Sequence, residues 1–524
     1  MLNTSPITSR RSVLLGIPSA AVCATLSKSA HAEDGNLFIK SFGAIGDGKA
    51  DDTAALVEAL GAIDSGQMLD LQGLHLNIFV GVSGASSGDA LSLSSVPRLS
   101  GKKDIGIRNG KITADSPSVS RIKTRYPSTL TIDGCKNVSL ENLVLHSKGE
   151  SWGDTDASSG KNSEERREFA AQNGGHALLI VRSEDTTVVN CEMRLCGSVG
   201  SFYVMSSHNT RLIGCFSNPG SLGYAAYAFD SWAGHSSTSG FPAHTAVMID
   251  CSAHREGCTY GSKGCVLTED VDVSVAVDGG FFADAYPNGT ARDLGYAFGC
   301  SSSRTTVSGA VVKNCASLGY TGTTTREDAS QLIVSDVRAI GLRRTVHQTE
   351  ATNVGRMTWH YRNVVAEVEG GGTWRDEANL ARANTSYAAI MNLGSLIFGN
   401  FEECRLTGAT YGFVNDTSVY GRLTFTDCFI ETNGWLWSSR NIGSGRPGRG
   451  SARGIQFYNC EIVDNSTEQS AYTRTASELV YTYIDLQTSQ IRLNSDRPLQ
   501  ESIIRKPEVF LEKVKFPDEV LVHP

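Results

Sequence analysis

The sequence predicts an all-β protein, a right-handed parallel β-helix closed at its N-terminal end by one short amphipathic helix. Three observations carry this. Cysteines recur in near-identical strand settings at intervals of 24 to 36 residues, and a second set of strands opens on glycine and an aromatic. The third is FGAIGDGKADDTAAL, Phe42 to Leu56, where a glycine and aspartate turn runs straight into helical periodicity.

The chain has 524 residues, 54 of them glycine, and a net charge of -8, which suits a large soluble core and argues against nucleic acid as a partner. Residues 1–32 read as an export signal. Arg10 and Arg11 precede the apolar run SVLLGIPSAAVCATL, and Ala30-His31-Ala32 has the form of a cleavage site. Ser9-Arg10-Arg11-Ser12-Val13-Leu14 resembles a bacterial twin-arginine signal, with Val13 in place of the usual Phe; the general secretory route is the alternative. Either places the mature chain in the periplasm or outside the cell. No later run is long and apolar enough to span a membrane.

Residues 33–66 are expected to hold a strand, a turn and the capping helix. Gly43, Gly46 and Gly48 permit positive φ, and Asp47, Asp51 and Asp52 can fold onto backbone amides. Asp51 or Asp52 is a good N-cap, and Leu56, Ala59, Leu60 and Ile63 form one apolar face. A stacked solenoid has an apolar end that such a face can cover.

Residues 67–465 are expected to be the coils. Cys191, Cys215, Cys251, Cys404, Cys428 and Cys460 each follow an alternating strand and a small or acidic residue. The spacing is 24 residues from Cys191 to Cys215 and 24 from Cys404 to Cys428. Successive coils put one position above itself, so these cysteines should form an inward ladder of free thiols rather than a disulfide framework. GSFYVMSS, YAAYAFDS, GYAFGCSS and YGFVNDTS should stack as a separate sheet. Residues 466–524 are expected to add a last coil and a C-terminal cap.

FIKSFGAIGDGKADDTAALVEAL, residues 38 to 60, resembles the N-terminal signature of the pectate-lyase superfamily of β-helix proteins, with its rhamnogalacturonase-like, epimerase-like and tailspike-like members. The resemblance implies a groove that binds or cleaves polysaccharide, and, from the tailspike-like members, a homotrimer as one available assembly. It supplies no catalytic set: Gly174-Gly175-His176 matches the polygalacturonase pattern only in part, and Arg121-Ile122-Lys123 comes too early.

The candidate site is therefore read from turns between Tyr224 and Asp293. Hydrolysis needs two carboxyl groups, for which Asp230, Glu256 and Asp284 are candidates. Elimination from a uronic acid needs a cation and a base, for which His254, Arg255, Tyr260 and Lys263 are candidates. Tyr227, Trp232, His235, Tyr260, Tyr286, Arg292 and Asp293 are expected to bind substrate, with core packing as the alternative for Tyr227. The two chemistries draw on the same turns, and a non-catalytic glycan-binding module or a sugar epimerase remains open beside them. Asp154 and Asp156 could bind calcium, with a solvated loop as the alternative because few oxygen ligands are in evidence, and no zinc spacing is present. Trp435, Trp437, Arg440, Arg446, Arg449 and Arg453 lie in a glycine-rich loop that could close on an acidic polymer.

Overall fold

The computed structural model describes residues 35–79, 97–115, 128–147, 176–194, 200–220, 225–231, 245–255, 264–285, 295–323, 328–343, 345–349, 355–369, 389–393, 396–409, 411–415, 420–432, 437–439, 455–464, 484–487 and 490–493. These form the expected right-handed parallel β-helix. All inter-strand pairings among them are parallel, in one sheet of 28 strands and another of 12, here called the long and short sheets. The expected export signal, the loop 434–454 apart from residues 437–439, and Asp154 and Asp156 lie outside the described residues.

One coil shows how sequence becomes winding. Ala225–Asp230 lies in the short sheet, and Thr245–Ile249 follows as a leading strand of the long sheet. The chain then turns a corner at Asp250 and Cys251 into the trailing strand Ser252–His254 before re-entering the short sheet at Gly264–Glu269. The glycine-and-aromatic strands do stack together: Gly200–Met205, Ala225–Asp230, Tyr296–Ser301 and Tyr411–Asn415 all belong to the short sheet.

The residue before each ladder cysteine has a reason to be small or acidic. Asn190, Gly214, Asp250, Asp427 and Asn459 adopt left-handed φ of 49–59°, which glycine, Asn and Asp tolerate best. The corner also keeps the hydrogen-bond ladder unbroken, because Asn190, Gly214 and Asp250 amides donate to Ile213, Ile249 and Asp278 carbonyls at 2.8–2.9 Å. Glu403 takes the same conformation at φ 54° without the short side chain that favours it. At Gly280 the demand is absolute: φ is +93°, and a Cβ would lie 1.9 Å from the Cys251 carbonyl oxygen.

The next residue points inward. All ten described cysteines are free and buried, so the six predicted ladder thiols are packing residues, as expected. Burial pushes the Cys191 thiol up, away from reactivity. The ladder continues without cysteine as Ala310, Val337 and Val364, each nearly inaccessible. Beside it runs an aromatic stack, Tyr361, Phe401, Phe425 and Phe457, with ring centroids 4.9, 4.7 and 5.0 Å apart. His347 joins this core, 2.7 Å from the Tyr361 hydroxyl and stacked on Trp359 at 4.2 Å, and burial pushes it down to about 3. His176, of the partial polygalacturonase match, is equally enclosed and pushed down to about 4 by burial.

The N-terminal helix spans Thr53–Ala62, with Leu56, Ala59, Leu60 and Ile63 in the core and contacts to strands His75–Phe79 and Arg98–Ser100. The two aspartates divide the expected capping. Asp51 Oδ1 accepts from the Thr53 amide at 3.0 Å, while the Asp52 carboxylate reaches back to the Ile45 and Gly46 amides at 2.7 and 3.1 Å. Asp52 thus holds the turn, and only its carbonyl starts the helix. Lys102 Nζ closes the other end on the Gly61 and Ile63 carbonyls at 3.0 and 2.8 Å, where a cation meets the negative helix terminus. The ladder extends past residue 465, since Ile484–Gln487 pairs with Ile455–Tyr458 and Gln490–Leu493 with Glu461–Asp464. No helix among the described residues is long and apolar enough to cross a membrane.

Candidate active site

Two groups of polar side chains stand on the outside of the solenoid at opposite ends of the short-sheet strands. The first is a carboxylate pair. In Ala225–Asp230 and Gly264–Glu269, Phe229 is in register with Thr268, which sets Asp230 beside Glu269 on adjacent coils. Tyr227 and Phe229 pack in the core and Asp230 alternates to the outer face. Glu269 does the same, because Val266 faces inward and Leu267 belongs to a separate outer cluster. Both carboxylates are half-buried. Neighbouring parallel strands lie about 4.8 Å apart, close to the separation of about 5–5.5 Å used by retaining glycosidases.

Tyr203, one coil earlier, donates its hydroxyl to Asp230 Oδ2 at 2.8 Å. Asp230 accepts in this contact, which fixes the orientation of its carboxyl group. The same column holds another acid, Asp133, but Arg182 binds it through three hydrogen bonds of 2.7–2.9 Å and Arg98 also pairs with it. At 3% exposure Asp133 is a structural ion pair.

The second group is a polar line at the corner after the trailing strands. His254 Nε2 lies 2.6 Å from Asp284 Oδ2, and Asn314 Nδ2 donates to Asp284 Oδ1 at 2.5 Å. Arg343 Nε then donates to Asn314 Oδ1 at 2.7 Å, and its other end pairs with Glu369. The line thus crosses five consecutive coils, those of Ser252–His254, Phe281–Ala283, Val311–Lys313, Arg338–Leu342 and Val365–Val368. Asp284 is able to join because it takes a left-handed φ of 58°. Lys313, exposed at the end of its strand, stands next to the line.

The structure separates residues that the sequence placed together. His254 and Asp284 meet, but Asp230 belongs elsewhere. Asp284 precedes Ala285, which bonds the next coil beside Gly295 at the start of strand Tyr296–Ser301, whereas Asp230 lines up with the far end of that strand. Six residue steps of about 3.3 Å, from Gly295 to Ser301, put the two carboxylates roughly 20 Å apart, too far to share a scissile bond.

Two further expectations are corrected by burial. Tyr227 has no exposed surface, and its hydroxyl lies 2.9 and 2.8 Å from the Cys215 and Ser252 carbonyl oxygens, which share its single proton, so it is a core residue tying two coils together. Arg255 is likewise fully buried, with Nη1 donating to the Gly264 carbonyl at 2.8 Å. It joins the two ends of the segment 256–263 and presents no cation to a substrate. Glu256, Tyr260 and Lys263, Trp232 and His235, and Tyr286, Arg292 and Asp293 lie outside the described residues.

Glu269, Asn314, Arg343 and Glu369 were missed. A signal for Glu269 was present: AAYAFD and GCVLTE end on an acid at the same strand position, a match visible once both segments are taken as short-sheet strands. No group of three or more metal-ligating side chains occurs among the described residues.

No family model matches the chain, and no curated protein sequence matches it. Solved structures do. A hyperthermoactive exopolygalacturonase from Thermotoga maritima is 11% identical over 88% of this chain and 93% of that chain, with a TM-score of 0.43. The catalytic unit of a thermostable α-1,3-glucanase from Streptomyces thermodiastaticus is 9% identical over 84% and 70%, with a TM-score of 0.45. A tailspike protein of an E. coli bacteriophage is 10% identical over 88% and 76%, with a TM-score of 0.47. These proteins are what the chain is similar to; the roles of its residues rest on its own geometry.

Proposed function

We propose that the protein is an exported carbohydrate-active enzyme that hydrolyses glycosidic bonds of a polysaccharide on the outer face of the short sheet. The observation that supports this reading is the adjacency of Asp230 and Glu269 at one strand spacing, with Tyr203 donating to Asp230. In this mechanism Glu269 protonates the leaving glycosidic oxygen while ionised Asp230 attacks the anomeric carbon, forming a covalent glycosyl ester. Water then attacks that carbon, Glu269 takes its proton, and Asp230 leaves. The stereochemistry is retained.

A second reading, β-elimination, is favoured by a different observation, the contact of His254 with Asp284 beside Lys313 and Arg343. A carboxylate orients an imidazole that removes the proton α to a uronic acid carboxylate, and the cations hold that carboxylate. Here Asp284 and Glu369 do not form a hydrolytic pair, since three strand spacings of about 4.8 Å separate their coils.

Incubating residues 33–524 with neutral and uronic-acid polysaccharides separates the readings. Reducing ends without new unsaturated-sugar absorbance are expected. Reducing ends with that absorbance would transfer the chemistry to His254 and Asp284, and binding without cleavage of any polymer would leave a glycan-binding module.

A further inference from the structure

The outer face of the short sheet carries polar groups that the carboxylate chemistry does not use. Gln348 is 1% exposed, and neither its amide nitrogen nor its amide oxygen has a hydrogen-bond partner. Ser317, fully buried one coil earlier, has an unpartnered hydroxyl as well. Both lie against aromatic rings. Tyr320 is in register with Gln348, Tyr296 is in register with Ser317, and the two tyrosine rings stack at 4.9 Å with an interplanar angle of 6°.

These residues face away from the core. Tyr296 and Tyr320 belong to an outer cluster with Leu267, whereas the neighbouring His347 turns inward to Tyr361. The three matching columns of this face, Gly264 to Thr345, Leu267 to Gln348 and Glu269 to Gly322, contain no lysine or arginine among the described residues. An amide offers two donors and an acceptor, and a serine hydroxyl can do either; with no lysine or arginine in these columns among the described residues, the ligand groups that match them are uncharged hydroxyls.

We infer that Gln348 and Ser317, beside the stacked Tyr296 and Tyr320 rings, form an enclosed subsite for an uncharged, hydroxyl-rich sugar unit. This rests on the proposal that the short-sheet face acts on polysaccharide, and it adds which part of the polymer is recognised and where. Gln348 lies three strand spacings from Glu269, roughly 14 Å along the axis, so the recognised unit is a few sugars from the cleaved bond.

The test uses the full mature chain carrying Glu269→Gln, so that binding is read without turnover, with maltohexaose, cellohexaose and hexagalacturonate as probes in calorimetry. At least one neutral hexasaccharide is expected to bind more tightly than hexagalacturonate. Adding Gln348→Leu should weaken that binding at least tenfold while raising thermal stability, because the unmet amide is removed. Adding Ser317→Ala should weaken it by a smaller factor. Unchanged affinity in Gln348→Leu overturns the subsite, and so does a loss of stability without loss of affinity, which would mark the amide as structural. Preference for hexagalacturonate, or no binding by any probe, also overturns it. The proposed chemistry fails separately: if Glu269→Gln on its own still cleaves polymer, the carboxylate pair is refuted whatever the Gln348 result.

Discussion

Acid should unfold this protein through its core histidines. His347 is fully buried against Trp359 and Tyr361, and burial holds it down at about 3 against an ordinary value of 6.5; His176 is held at about 4. Both are therefore neutral in the folded chain where the unfolded chain already binds a proton. For a base whose folded value is depressed, stability is full above the unfolded value and falls as pH drops below it, until the folded value is reached. Each such histidine costs about 1.4 kcal/mol per pH unit, so going from about pH 7.5 to about pH 5 removes about 2 kcal/mol for each and about 4 kcal/mol for the two. The control is a His176→Asn, His347→Gln double variant, which is less stable at neutral pH but lacks both groups. Urea unfolding followed by far-ultraviolet circular dichroism at both pH values gives the comparison. The wild type should lose about 4 kcal/mol more than the variant over that interval. Parallel losses would refute the argument, because they would show that neither imidazole is held neutral by the fold.

Other consequences follow from the ladders. The ten described thiols should resist a small disulfide reagent in the native protein and react on unfolding; fast native labelling of Cys215 or Cys428, found by peptide mass spectrometry, would contradict their burial. Phe425→Ala removes the centre of a stack and should cost about 3–5 kcal/mol in urea unfolding; a loss below about 1 kcal/mol would mean the coils close over the gap. Gly280→Ala combines a positive φ with a backbone clash and should abolish soluble expression, where Gly43→Ala, open around its Cβ position, should not.

What could be read from the chain was whatever repeats. The Asn-Cys, Gly-Cys and Asp-Cys pairs encode a left-handed corner followed by an inward thiol, and they recur because every coil needs that corner. The N-terminal turn was legible for the same local reason, although which of Asp51 and Asp52 caps the helix was decided by the nearby Ile45 and Gly46 amides. The site was less legible because adjacency across coils depends on register. His254 and Asp284 are 30 residues apart in sequence and touch. Asp230 is only 24 residues before His254, yet emerges at the other end of a strand beside Glu269. Alternation within YAAYAFDS gives Tyr227 and Asp230 opposite faces, but not which face is the core; that is fixed by the coil above.

The most direct test of the account is the rate of reducing-end release by Asp230→Asn and Glu269→Gln, each checked for unchanged thermal unfolding, on a polysaccharide that the wild type cleaves. Each substitution should lower kcat by about 10²–10⁴, while His254→Ala retains most of the wild-type rate. Full activity in both carboxylate variants, with activity lost in His254→Ala, would contradict the account and place the chemistry on the polar line of His254 and Asp284.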